Sequence, residues 1–209
     1  MNTRDPIHVV FAGGGTGGHL FPGLAVAGRL REELPAVRVT FAGSGRQFER
    51  THVTAAGYEY LALRCRPLPR RPWHLPGFVA DNLAGYLGAC RFLREQNVGV
   101  VVGLGGFASV PMARAAIARR RPLVLLEQNA VPGRATRWLA RSADVVCLAL
   151  PASRRYFRRG GNLQVTGNPI RPGGLSGERC EQWAATVVGQ AASLPPRSAT
   201  ASWQLALRP

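Results

Sequence analysis

The sequence feature that most constrains the fold is a glycine-rich loop between an apolar run and an amphipathic helix. Ile7–Ala12 (IHVVFA) is a short apolar and β-branched run, which predicts a buried strand. Five glycines and one threonine then fill Gly13–Gly18. Apolar residues recur at three- and four-residue steps from Leu20 to Leu34, as in an amphipathic helix. This order predicts the first part of a βαβ unit.

The same alternation of strand and helix continues along the chain. Further strands are predicted over Val37–Ala42, Glu59–Leu63, Gly99–Leu104, Leu123–Glu127 and Asp144–Leu148. Further helices are predicted over Val79–Leu93, Ser109–Arg119 and Arg134–Ala140. This alternation predicts an α/β fold with a doubly wound, Rossmann-like parallel sheet. Its ligands are expected in the loops that follow the carboxyl ends of the strands.

The first glycine loop has the spacing of a dinucleotide site but lacks its second anchor. Gly13, Gly15 and Gly18 satisfy G-x-G-x-x-G, which in such sites is followed about 20 residues later by an acid that holds the ribose. The second predicted strand instead ends in Ala-Gly-Ser-Gly, and Glu49 is the first acid after it. A nicotinamide-dependent oxidoreductase is therefore disfavoured. An anion cradle of backbone N–H groups stays open, as does a tight turn with no ligand.

Several polar residues fall at these predicted loops. His19 begins the first helix and is a candidate general base, although a lone histidine is more often structural. A second glycine loop spans Gly103–Phe107. Glu127 and Asn129 follow a strand, where they could meet substrate or merely cap the loop. Arg171 in "VTGNPIRP" could bind a phosphate or belong to a linker.

The charge balance points to anionic partners. The chain has 27 basic residues, all arginine, against 11 acidic residues, for a net charge of +16. Guanidinium groups suit phosphates and anionic lipid head groups, so both nucleic acid and membrane surfaces are candidate partners. Nucleic acid is disfavoured because the arginines are spread along the chain without an aromatic platform or a known module.

Other classes of site are not indicated. The four cysteines, which lack C-x-x-C spacing, are expected to be buried or incidental thiols in a reducing compartment: Cys65, Cys90, Cys147 and Cys180. No D-x-D occurs, so no metal site is predicted. The uncharged run Val98–Ala113 is too short and glycine-broken to span a membrane, and a signal peptide is rejected because glycines interrupt the N-terminal apolar stretch.

A basic and aromatic segment precedes the helix predicted at Val79. It carries Arg70, Arg71, Trp73, Leu75 and Phe78. Cations beside amphipathic and apolar side chains are typical of a membrane interface, so these residues are predicted to face a membrane. The alternative is an ordinary exposed loop of an arginine-rich protein.

Four motifs together resemble the MurG family. They are "GGGTGGHLFPGLAVA", "GLGGFASVP", "LEQNAVPGRATRWLA" and "VTGNPIRP", and they cover roughly Ile7 to Pro172. The resemblance implies the N-terminal half of a GT-B glycosyltransferase, in which two Rossmann-like domains face a cleft. It also implies transfer of N-acetylglucosamine, with inversion, from UDP-N-acetylglucosamine to lipid I (undecaprenyl-pyrophosphoryl-N-acetylmuramoyl-pentapeptide), giving lipid II. No cofactor is implied, and the expected location is the cytoplasmic face of the bacterial cell membrane, as a peripheral protein.

The resemblance also implies roles for individual residues. Thr16, Gly17 and Gly18 would contact the donor, Asn129 its sugar, and Arg171 would hold the donor near the hinge. His19 would be the general base toward the acceptor hydroxyl. Further candidates for the acceptor site are Gly105, Gly106 and Glu127.

The end of the chain departs from the family pattern. Residues 173–209 lack the strand–loop–helix pattern of the family's second domain. We therefore expect an acceptor-side domain at residues 1–172, an atypical tail at 173–209, and a truncated chain that is inactive alone. The alternatives are another GT-B glycosyltransferase with a lipid or natural-product acceptor, and a non-enzymatic basic protein that binds anions.

Overall fold

A parallel β-sheet forms the centre of the molecule, a computed structural model that describes residues 6–157, 162–168, 185–187 and 189. Within these residues the sheet has seven strands in the order β3-β2-β1-β4-β5-β6-β7, and every pair is parallel. The strands are β1 (His8–Gly13), β2 (Arg38–Gly43), β3 (Glu59–Ala62), β4 (Val100–Gly105), β5 (Leu123–Glu127), β6 (Val145–Leu148) and β7 (Leu163–Val165). The strand order reverses between β1 and β4, so a ligand crevice is expected where these two strands end.

Helices cover both faces of the sheet. They are α1 (Gly17–Glu33), α2 (Gln47–Ala55), α3 (Leu75–Glu95), α4 (Val110–Ala118) and α5 (Arg134–Leu139). Leu30 of α1 and Val53 of α2 belong to one apolar cluster, while Leu93 of α3, Met112 of α4 and Leu139 of α5 belong to the other. The predicted doubly wound, Rossmann-like α/β fold is therefore confirmed.

Three elements differ from the sequence prediction. α3 begins at Leu75 rather than Val79, because Pro76 lies in the first turn, where a missing N–H costs nothing. α2 was not predicted, since its only buried residues are Glu49 and Val53, and a buried acid obscures the apolar pattern. The three-residue strand β7 is too short to give a periodic signal.

The helix α3 packs unusually closely on the segment that leads into it. A Cβ atom added at Gly85 would lie 1.9 Å from the backbone oxygen of Arg64. One turn earlier, the Asn82 side chain donates a hydrogen bond to the backbone oxygen of Arg66 at 3.2 Å, and Arg66 forms an ion pair with Asp81. A glycine is thus required where the helix backbone meets this segment.

The cysteines that the structure describes are free thiols. Cys90 and Cys147 are buried and Cys65 is half-buried, whereas Cys180 lies outside the described residues. Burial raises the pKa of the Cys147 thiol to about 12, which makes it a poor nucleophile at neutral pH. In the part of the chain described, no helix is long and apolar enough to cross a membrane.

Candidate active site

The two glycine loops meet at the carboxyl edge of the sheet. Gly13, at the end of β1, pairs with Gly105, at the end of β4, after a shift of register that follows Ala12. A Cβ atom added at Gly13 would lie 2.8 Å from the backbone oxygen of Gly105. Gly13 has a φ of 134° and Gly105 a φ of 98°, a region that L side chains rarely adopt. The two loops therefore form one close-packed backbone surface.

The first turn of α1 opens onto this surface. Thr16 is the N-cap residue, with an extended backbone, and its hydroxyl makes no capping hydrogen bond. Thr16 and Gly18 are exposed, while Gly17 is half-buried. Since the first N–H groups of a helix have no partner within the helix, this turn can accept an anion.

The His19 side chain lies between the two glycine loops and the loop after β5. Its Nδ1 atom is 3.0 Å from Oε1 of Gln128. A Cβ atom added at Gly105 would lie 3.3 Å from both Cε1 and Nδ1 of His19 and 3.6 Å from the hydroxyl oxygen of Thr136. His19 lies at the carboxyl ends of β1 and β4, where the strand order predicts a ligand crevice. This position agrees with its predicted role as a general base, which stays a prediction.

Glu127 and Asn129 are bonded to each other. The Glu127 carboxylate, which is buried, accepts hydrogen bonds from the backbone N–H and the side-chain amide of Asn129, both at 2.9 Å. Asn129 itself is exposed. This geometry makes Glu127 a support of the loop at the end of β5 and leaves the amide oxygen of Asn129 available to a ligand.

A buried carboxylate that sequence reasoning passed over supports the first glycine loop. Glu49 is fully buried and accepts hydrogen bonds from the Ser44 backbone N–H at 2.8 Å, the Ser44 hydroxyl at 2.9 Å and the Tyr60 hydroxyl at 2.5 Å. Burial and the hydrogen bond to Glu49 raise the pKa of Tyr60. A Cβ atom added at Gly14 would lie 2.9 Å from Oε1 of Glu49. Glu49 therefore packs directly beneath the loop and does not face a ribose.

A cation at the edge of the crevice was also missed. Arg46 donates a hydrogen bond from Nη1 to the backbone oxygen of Gly15 at 3.2 Å, and its guanidinium lies 5.9 Å from the ring centroid of Phe107. Arg46 thus connects the first glycine loop with the residues after the second. The signal available in the sequence was its position in the loop after β2.

The structure brings together most of the predicted site residues. Thr16, Gly17, Gly18 and His19 lie at the start of α1, beside Gly105. A Cβ atom added at Gly106 would lie 3.6 Å from the backbone oxygen of Gly14, so this residue also borders the loop. Arg171 and most of the predicted tail lie outside the described residues. Within the described ranges, no three His, Cys, Asp or Glu side chains are grouped as metal ligands would be.

The predicted membrane-facing residues form a separate surface on and before α3. Arg70, Arg71, Trp73 and Leu75 are exposed, and Phe78 is half-buried. The Arg71 guanidinium lies 5.5 Å from the ring centroid of Trp73. Along α3, four large apolar side chains at intervals of four residues are about half exposed: Leu75, Val79, Leu83 and Leu87. We call these four the α3 ridge.

The comparison with protein families identifies the chain. A model of the glycosyltransferase family 28 N-terminal domain matches residues 9–148, which run from the second residue of β1 to the end of β6 and include the loops around His19. The chain belongs to this family.

Curated relatives that match the chain carry the name of a transferase. The chain is 40% identical over 168 residues to the UDP-N-acetylglucosamine–N-acetylmuramyl-(pentapeptide) pyrophosphoryl-undecaprenol N-acetylglucosamine transferase of Chlorobaculum parvum, covering 78% of this chain and 46% of that protein. The protein of the same name from Moorella thermoacetica is 38% identical over 180 residues, covering 84% and 48%. The chain spans about half the length of the curated relatives it matches.

Solved structures agree with the family 28 assignment. Acinetobacter baumannii MurG superposes with a TM-score of 0.65 at 28% identity, covering 80% of this chain and 47% of that one. The Anabaena protein HepE, solved with UDP and glucose, has a TM-score of 0.57 at 17% identity, which shows a shared fold only. The MurG resemblance and the fold class, the N-terminal half of a GT-B enzyme, are confirmed.

Proposed function

We propose that this chain provides the acceptor-side half of an enzyme that transfers N-acetylglucosamine from UDP-N-acetylglucosamine to lipid I. The observation that carries the proposal is the position of His19 between two glycine loops at the end of β1 and β4. A base at this point can reach a hydroxyl held in the crevice. The names of the relatives from Chlorobaculum and Moorella, which describe this transfer, support the proposed substrates.

In the proposed reaction His19 removes a proton from the acceptor's 4-hydroxyl. The oxygen forms a new bond to the anomeric carbon of the donor sugar, while the bond from that carbon to the pyrophosphate oxygen breaks. UDP leaves with the electron pair, and the configuration at the anomeric carbon inverts. Because inversion requires attack and departure on opposite sides of the reacting carbon, the acceptor oxygen and the leaving pyrophosphate lie on opposite sides of the anomeric carbon.

The first turn of α1 and Arg46 supply positive potential for the phosphates. Helix N-termini and guanidinium groups stabilise the charge that develops on a leaving pyrophosphate. Thr16, Gly17 and Gly18 are therefore proposed donor contacts, with Asn129 toward the sugar. Gly105 and Gly106 are proposed to line the acceptor side, and the buried Glu127 to support it through its hydrogen bonds to Asn129. Arg171 is proposed as a further donor contact by resemblance alone.

Transfer of labelled N-acetylglucosamine tests the role of His19. The chain fused to the second half of the Moorella relative should convert a short-chain lipid I analogue, and His19→Ala should reduce the rate about 100- to 10,000-fold, the usual contribution of a general base. His52→Ala is the matched control, since His52 lies on α2 and bonds the Phe48 backbone. Equal loss in both variants, or full activity in His19→Ala, would contradict the proposal.

We further propose that the α3 ridge and the arginines before it bind the anionic cytoplasmic face of the cell membrane. A row of exposed apolar side chains beside cations is typical of a protein that lies on a bilayer. The ridge has four such side chains, and Arg70 and Arg71 are exposed next to it. This surface would keep the crevice close to a lipid-linked acceptor.

Vesicle sedimentation tests this surface. The protein should bind vesicles of phosphatidylglycerol and phosphatidylcholine, and binding should weaken as ionic strength rises from about 0.1 M to about 1 M, which shortens the screening length from about 10 Å to about 3 Å. Leu83→Glu should weaken binding about tenfold or more, because burial of a leucine contributes about 1.5–3 kcal/mol. Val131→Glu, at a side chain 59% exposed outside α3, is the control. Equal weakening by both would refute the proposed surface.

A further inference from the structure

Gln128 is the side chain that faces the imidazole of His19, although 109 positions separate them in the sequence. Gln128 follows Glu127, the last residue of β5, and two hydrogen bonds of Glu127 hold the turn at this point. The Glu127 carboxylate accepts from the backbone N–H of Asn129 at 2.9 Å, and the Glu127 carbonyl accepts from the backbone N–H of Ala149 at 2.8 Å. These hydrogen bonds hold the backbone on either side of Gln128.

The contact between the two side chains specifies a proton position. In the structure the Oε1 atom of Gln128 lies 3.0 Å from Nδ1 of His19. Because an amide oxygen only accepts hydrogen bonds, this orientation of the amide places the imidazole proton on Nδ1. A neutral imidazole carries one proton, which leaves Nε2 with its lone pair. Nδ1 and Cε1 of the ring also pack against Gly105, where an added Cβ would be 3.3 Å from both atoms. The close fit limits how far the ring can rotate.

We propose that Gln128 is a positioning residue that holds His19 in the Nδ1–H tautomer, with Nε2 as the proton acceptor. This role deepens the proposed function, on which it rests for the identity of the proton donor. When the acceptor hydroxyl loses its proton, the new N–H bond forms at Nε2, and the oxygen electron pair goes to the bond with the anomeric carbon. The opposite tautomer has its lone pair on Nδ1, against Gln128, and cannot take that proton.

The amide of Gln128 differs from a carboxylate in its charge. It carries no charge, so it selects between the two neutral tautomers without strongly favouring the protonated ring, as a carboxylate would. Within the part of the chain that the structure describes, this orientation of the Gln128 amide leaves one of its polar atoms unpaired. Nε2 of Gln128 is buried and, among the described residues, has no hydrogen-bond partner. Turning the amide over would place this N–H beside His19 Nδ1 and force the imidazole proton onto Nε2, so the two orientations predict opposite tautomers.

Long-range 1H–15N correlation spectra of the 15N-histidine-labelled chain, at about pH 8 where imidazoles are neutral, distinguish the tautomers. The chain has 4 histidines, and His19→Gln identifies the His19 signals. We expect a protonated, pyrrole-type Nδ1 and a pyridine-type Nε2. In Gln128→Leu, which keeps the size but removes the acceptor, the Nε2–H form should appear. Gln128→Glu, which retains an acceptor, should preserve the Nδ1–H form.

The His8 signals in the same spectrum serve as a control for folding. His8 donates from Nδ1 to the backbone oxygen of Gln96 at 3.1 Å, so its signals should be the same in every folded variant. A protonated Nε2 on His19 in the unsubstituted protein would overturn the proposal, whatever the variants do. So would an unchanged His19 spectrum in Gln128→Leu. No substrate is present, so failure of this test is distinct from failure of sugar transfer.

Discussion

Gly85 allows α3 to approach the segment that precedes it, and Gly88 on the same helix provides a matched control for its substitution. A Cβ at Gly85 would lie 1.9 Å from the Arg64 oxygen, about 1.5 Å inside the 3.4 Å where ordinary contact begins. The oxygen belongs to the backbone and the Cβ position is set by the helix backbone, so no side-chain rotation relieves the contact. Overpacking of this kind costs about 3 kcal/mol, and alanine returns about 1 kcal/mol of helix propensity. Gly85→Ala should therefore lower the free energy of unfolding by about 2 kcal/mol.

Gly88 lies one turn further along the same helix and provides the comparison. An added Cβ there would be 3.8 Å from Leu63, an ordinary contact, so Gly88→Ala should gain the helix propensity alone. By thermal unfolding, Gly85→Ala should lower the midpoint by about 4–8 °C and Gly88→Ala should raise it by about 2–4 °C. A midpoint for Gly85→Ala at or above that of the unsubstituted protein would refute the close approach of α3 to Arg64.

Three further predictions concern the residues around the crevice and the strand that leads to it. In urea unfolding, Glu49→Ala should destabilise the protein by about 3 kcal/mol and Tyr60→Phe by about 1–2 kcal/mol. The loss is larger for Glu49→Ala because it leaves several buried donors unpaired. Equal destabilisation by the two variants would contradict the role of Glu49 as their shared acceptor. Gly105→Ala should lower the unfolding midpoint and shift the His19 ring signals, since the added carbon presses on the imidazole; unchanged signals would contradict it. Burial lowers the pKa of His8, so below about pH 6.5 the unfolded chain binds more protons than the folded chain, and the free energy of unfolding should fall on acidification by at most about 1.4 kcal/mol per pH unit. In urea unfolding between about pH 7.5 and 5.5, His8→Gln should flatten this pH dependence of the midpoint. An unchanged pH dependence in His8→Gln would refute the role of His8.

The sheet could be predicted from the sequence because its signals are local. β1, β4 and β5 are continuous apolar runs, and glycines or polar residues mark their ends. The parallel order then follows from the helices between them, and the crevice follows from the order. These steps need no knowledge of side-chain contacts, so the sequence alone predicts that His19 lies at the carboxyl ends of the strands.

The supporting contacts could not be predicted, because they join residues that are distant in sequence. Gln128 lies within the motif LEQNAVPGRATRWLA, yet nothing local indicates that it faces His19 rather than solvent. In the sequence Glu49 is only the first acid after the second strand, and its hydrogen-bond partner Tyr60 lies on β3, eleven residues further along the chain. In each case a polar side chain is explained by a partner that only the folded sheet brings near.

The close packing of Gly13 against Gly105 bears on how a ligand would be bound. The backbones of the two loops are already in contact, so a ligand has no gap between them to close. Their ordering therefore takes place when the sheet folds, before any sugar or phosphate arrives. Binding to such a surface loses little conformational entropy, which favours affinity for ligands that fit the preformed shape.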